Sequence, residues 1–165
     1  MKLPGHRLPV VIVPLVLLLV TAAPARAQVD KVAIRTTGIS CGTCAFVSEI
    51  YLRKMEGIEA IKISLSTESI LVSYKPNAVF RPGELRDALK KTDVGVLQFQ
   101  VTARGRVLEQ GSQRFFVAGR DRFLLAAAAD APKPPSGSPV VIEAMLNDLA
   151  DPMELKVMTV KPISP

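Results

Sequence analysis

Cys41 and Cys44 are the two cysteines of this 165-residue chain, set two residues apart in Gly38-Ile39-Ser40-Cys41-Gly42-Thr43-Cys44. Two thiols at that spacing can close on one soft metal ion, or on each other as a disulfide. Thiolates prefer Cu(I), Hg(II), Zn(II) or Cd(II) to hard cations. A structural zinc site takes four protein ligands, and the single histidine, His6, lies near the amino terminus in a segment read below as removable. Two-coordinate Cu(I) and Hg(II) therefore suit a pair of cysteines best, and Zn(II) and Cd(II) fit less well. The remaining soft atoms are on Met55, Met145, Met153 and Met158. Met158 alternates with Val160, so core packing accounts for it better than a copper-thioether site does.

Lys2, His6 and Arg7 precede an apolar run over residues 8–20, and Ala25-Arg26-Ala27 follows it. That is the pattern of a signal peptide over residues 1–27, cut before Gln28. The run is 13 residues long, and a bilayer needs about 20. No cysteine lies near the cut to carry a lipid. The expectation is a periplasmic or secreted protein. Losing Lys2, Arg7 and Arg26 lowers the formal net charge from +6 to +3. No basic run with interleaved aromatics is present, so nucleic acid is set aside as a partner. With no histidine after residue 27 and acids scattered over turns, no catalytic constellation forms, and the chain is read as not an enzyme.

The elements that must hold the cysteines follow from periodicity. Residues 29–37 alternate Val32 and Ile34 with Lys31, Ala33 and Arg35, as a strand does. A helix follows over about 43–55, with Ser48, Tyr51, Leu52 and Met55 on one stripe from Cys44 and Gly57 placed to end it. The cysteine pair thus sits at a strand-to-helix junction, where free N–H groups and the positive dipole end favour thiolate over thiol. Residues 60–66 and 69–74 are two further strands around a tight turn. Pro82 starts a second helix, with Leu85, Ala88 and Leu89 inward and Lys90-Lys91 at its end. A last strand begins at Val96. The order βαββαβ matches the ferredoxin-like arrangement, two helices over one face of a four-stranded antiparallel sheet.

Beyond Arg104 the pattern holds strands alone: 106–108, 114–118, 122–126, 140–145 and 155–160, with turn signals between them. The whole is an α+β chain. A ferredoxin-like domain over residues 28–104 precedes a small all-β domain, barrel or sandwich-like, over 105–165. The tail of residues 99–108 serves as a strand shared by both.

The loop Gly38-Ile39-Ser40-Cys41-Gly42-Thr43-Cys44, with Leu52, Met55 and Gly57-Ile58, resembles the heavy-metal-associated domain family. The likeness covers about residues 29–103. With the leader, it is closest in kind to exported periplasmic mercuric-ion and copper carriers, though the strand-rich region lies outside that pattern. The resemblance implies Cys41 and Cys44 as metal ligands for a carried Cu(I) or Hg(II). It also implies a metal-transporting membrane protein or another metal carrier as partner, with membrane contact only through that partner. Ile39 stands where the family usually has methionine, at a position that packs beneath the loop. Lys91, ahead of the last strand, is the candidate cation for offsetting a bis-thiolate complex.

Two other uses of the pair stay open from the residues alone: a thiol-redox couple, or a disulfide with no further role in an oxidising compartment. Against a thioredoxin-like pair stand the element order and the lack of a tryptophan before Cys41. Phe46, Val47 and Ile50 lie off the helix stripe beside the loop, which reads either as a docking surface for a partner or, slightly preferred, as a contact with the second domain.

Overall fold

The computed structural model describes residues 28–163; the expected signal peptide lies outside them. The elements run β1 (Gln28–Thr37), α1 (Gly42–Arg53), β2 (Ile58–Ser64), β3 (Ser69–Tyr74), α2 (Pro82–Lys90), β4 (Gly95–Gln110), β5 (Gln113–Ala118), β6 (Asp121–Leu125), β7 (Pro139–Asn147) and β8 (Glu154–Pro162). No described helix is long and apolar enough to cross a membrane. In β1, Val32 and Ile34 are fully buried while Lys31 and Arg35 are exposed, the two-residue period of a strand with one covered face. Ser48 and Leu52 of α1, and Leu85, Ala88 and Leu89 of α2, cover that face. The first helix stops at Arg53, capped by Lys54, so Gly57 belongs to the turn into β2 rather than to the helix end.

The first four strands pair antiparallel in the order β2-β3-β1-β4 with both helices on one side, the expected βαββαβ arrangement. The strand-rich remainder is attached to it without a break. The strand expected to be shared over residues 99–108 is part of β4, which runs unbroken for 16 residues. One stretch of β4 pairs with β1 as far as Arg104, and β5 takes over from Arg106. β7 also pairs with β4, from Phe99 to Arg106. From β5 the ladder passes to β6, then in parallel to β8, and back through β7 to β4. The hydrogen-bonded circuit closes on the strand it left.

Gly105 is the residue that permits the hand-over. A Cβ there would lie 2.2 Å from the Val117 carbonyl oxygen and 2.8 Å from Phe116 Cζ, distances no side chain tolerates.

One apolar core runs through both parts, from Val32, Leu52 and Leu85 to Phe116, Phe123 and Leu155. Phe80, between β3 and α2, joins the halves: its ring meets Tyr74, Phe99 and Phe123 at centroid distances of 5.9, 6.3 and 6.4 Å. Its backbone N–H donates to the buried carboxylate of Asp121, at 3.2 and 3.3 Å from the two oxygens. Arg86 of α2 forks onto Asp148 beyond β7, at 2.5 and 2.8 Å, and lies over the Phe99 ring.

Candidate metal centre

The loop that carries the cysteines is fixed from below. Gly38 leaves β1 with φ of +88°, and a Cβ there would lie 2.9 Å from the Asp93 carbonyl oxygen; glycine meets both demands. The chain can then turn Ile39 inward, where it is fully buried. Isoleucine thus fills the place beneath the loop, as expected, and Cys41 is left exposed above it.

Cys41 is the N-cap of α1. Its φ and ψ, −134° and 154°, are extended, and its Sγ accepts the backbone N–H of Cys44 at 3.1 Å. Its carbonyl accepts the Ala45 N–H at 3.0 Å, opening the helix. The cap that serine or aspartate usually supplies is here a sulfur. The two sulfurs are joined as a disulfide, with Cα atoms 5.3 Å apart. Cys44 is half-buried, and the first turn of α1 holds no acidic residue. Two electrons and two protons would convert this bridge to two thiols at a helix N-terminus, where developing negative charge is favoured.

Beneath the pair, the polar member of the helix stripe finds a partner that periodicity could not show. Ser48 is wholly buried, and its hydroxyl bonds Thr92 Oγ1 at 2.9 Å, while Thr92 donates to the Leu89 carbonyl at 2.8 Å. This couples the cysteine helix to the end of α2.

Lys91 meets α1 at Tyr51. Its ammonium lies 5.8 Å from the centre of the Tyr51 ring, which Lys54 also approaches at 5.2 Å. Tyr51 is seven residues past Cys44, about 10 Å along the helix. The preferred reading of Phe46, Val47 and Ile50, a contact with the second domain, is corrected. Phe46 is 64% exposed and Ile50 38%, and α1 packs on α2 and β2 rather than on the later strands. Of the methionines, Met55 and Met153 pack against the core, Met145 is exposed, and Met158 sits at the register shift of β8. Among the described residues no group of three or more His, Cys, Asp or Glu could hold a metal, which leaves Cys41 and Cys44 as the candidate donor set.

No family model matches the chain. Copper-transporting ATPase 2 of Mus musculus is 35% identical over 66 residues, 40% of this chain and 4% of that protein. The Homo sapiens protein of the same name is 34% identical over 61 residues, 37% of this chain and 4% of its own. The chain spans about 4% of the length of the curated relatives it matches. Among solved structures, a CopZ metallochaperone is similar at 21% identity and a TM-score of 0.38, over 41% of this chain and 98% of that one.

Proposed function

The amino-terminal part of this chain is a heavy-metal-associated domain, and from that premise we propose that it binds one Cu(I) ion between the sulfurs of Cys41 and Cys44 and passes it on by ligand exchange. The observation that carries the reading is the cysteine pair at the mouth of α1, with Cys41 exposed and capping the helix through its own sulfur. Reduction of the bridge and loss of the two thiol protons on binding give a bis-thiolate complex of Cu(I) with net charge −1. The Cys44 N–H and the helix dipole face that charge, and no carboxylate in the first turn opposes it. An ion with two protein ligands and an open side is one that a third thiolate can attack, which is the chemistry of transfer.

Copper is preferred because the curated relatives are named as copper transporters. Hg(II) takes the same two-thiolate geometry and is the ion to run beside it. The partner is a metal-transporting membrane protein or another carrier, met outside the cytoplasm after removal of residues 1–27. The later strands form a small five-stranded barrel sharing β4, with a structural or partner-binding role.

Reduced and kept anaerobic, the protein should retain about one equivalent of Cu(I), and the Cys41→Ser/Cys44→Ser variant should retain none above background. Equal retention by both would remove the carrier reading. The second reading, a thiol-redox protein, is favoured by the disulfide itself. Catalysed exchange on a model disulfide, without copper retention, would put it first.

A further inference from the structure

The sheet has one covered face and one bare one. Both helices pack on the side of Val32 and Ile34, where the core also lies. The other side carries Lys31 and Arg35 of β1 and Lys62 of β2, all exposed. Cross-strand register fixes these on one face: Lys31 opposes Ser73, Arg35 opposes Ser69, and Lys62 opposes Leu71, which in turn opposes Ala33. The face continues across β4 through Gln100 to Met145 of β7 and on to Lys156 of β8. None of Lys31, Arg35, Lys62 and Lys156 has an ion-pair partner among the described residues.

On β2, β3, β1 and β4 no paired position of this face is acidic; the neighbours are serine, threonine, glutamine and alanine, with Leu71 half-buried. The residues left unpaired at the register shifts of β1 and β2 are acidic, Asp30, which Arg104 meets at 2.7 Å, and exposed Glu59; beyond β4 lie Glu143, which Lys161 meets at 3.5 Å, and Glu154 where β8 begins.

We infer that this bare face docks on an anionic lipid bilayer. Lys62 is level with Ala33, midway between Lys31 and Arg35. Strand spacing and rise then place the three cations at the corners of a triangle with sides of about 12–13 Å. They are too far apart to converge on one phosphate, whose donors must lie about 3 Å away. Each can meet a separate anionic headgroup of a plane. A single-stranded nucleic acid would need aromatic rings for its bases, and none stands at these positions. A protein partner would need a desolvated apolar anchor; among the three cations there is half-buried Leu71, while the exposed Met145 of the face lies on β7, two strands from β1. Membrane contact then belongs to this chain itself rather than to a partner alone, whether or not the cysteine pair carries copper.

The test is flotation of the full chain with vesicles of phosphatidylcholine alone or with 30% phosphatidylglycerol, at low and at high salt. Each basic residue near such a surface strengthens binding about fivefold. Lys31→Gln/Arg35→Gln/Lys62→Gln should therefore bind the anionic vesicles about 100-fold more weakly, and salt should weaken the wild type. Lys54→Gln/Lys90→Gln/Arg120→Gln removes the same charge from other exposed positions and should bind nearly as the wild type does. Matching melting curves for the two triple variants exclude misfolding as the cause. Equal losses in the two variants would reduce the effect to net charge or to residues 1–27 and overturn the proposal. Retention of poly-glutamate with no preference for anionic vesicles would overturn it too, in favour of an acidic protein.

Discussion

Cys41 has two duties that substitution can separate. As a proposed ligand it needs sulfur, but as an N-cap it needs only an acceptor for the Cys44 N–H. With the bridge reduced throughout, Cys41→Ser should therefore keep the stability of the protein and Cys41→Ala should lose about 1 kcal/mol. Cys44→Ser and Cys44→Ala should differ little, because no cap depends on that sulfur. Urea midpoints under reductant read the difference, and equal values for the two Cys41 variants would contradict the capping role. Asp121 is a second residue whose chemistry is separable. Burial pushes its carboxyl up to about 6 from an ordinary 3.8, and the Phe80 N–H holds it back from rising further. Between those values the native state binds more protons than the unfolded one. Stability therefore falls as pH rises across about 4–6, and that loss is complete above the folded value. Asp121→Asn keeps an oxygen for the Phe80 N–H without the charge. Its urea midpoint should overtake the wild type's through that window and stay above it at pH 7. Parallel pH profiles for the two proteins would sink this assignment.

At the scale of elements, β4 decides how the later strands join the first four. Its change of partner from β1 to β5 occurs at Gly105, whose Cα lies under the β5 backbone. Gly105→Ala drives a methyl into a carbonyl that is itself in a ladder, so it should destabilise the protein by about 2–3 kcal/mol. Gly42→Ala, with open space around it, should change stability by less than about 0.5 kcal/mol. Thermal melts of both test this, and a Gly105→Ala protein as stable as the Gly42→Ala one would mean that β5 need not approach so closely. The same strand marks where the sequence was legible. Alternation placed β1 and β3 to within a residue or two, because each buries one face more deeply than the other, whereas β5, with Phe115 and Phe116 both buried, was bounded by the turn signals around it. Alternation also carried one strand across residues 99–108, as β4 does, but left unseen why the partner changes at Gly105, since no side chain there shows what approaches it. The parallel pairing of β6 with β8, and the pairing of Phe99 with Leu146, join segments far apart in the chain and leave no local periodic trace. The cysteine loop was legible because both of its residue types and its spacing are local. The burial of Ser48 against Thr92 was not, because that contact spans two helices.

For the whole molecule, the question is whether the later strands are a tethered module or part of the same folding unit. The core is continuous, and Phe80 is the side chain that most directly spans it. It lies in a connecting segment, so periodicity gave no hint of its role. Its N–H is held by Asp121 at the start of β6, and its ring touches Phe99 on β4 and Phe123 on β6. Removing that ring leaves a cavity bounded by both halves, which cannot be filled by the collapse of either alone. Phe80→Ala should therefore cost about 3–5 kcal/mol. The loss should appear equally in amide hydrogen exchange of β3 and of β6, because the strands would open in one cooperative transition. A module that merely leaned on the first four strands would behave otherwise: β6 would lose protection while β3 kept its own, and a second transition would appear on heating. The expected result also bears on the cysteine pair. The loop above Ile39 rests on Val94 and Asp93 ahead of β4, so a variant that loosens β4 should weaken Cu(I) retention without touching either sulfur. Unchanged retention in folded Phe80→Ala protein would place the cysteine loop's rigidity in the first four strands alone.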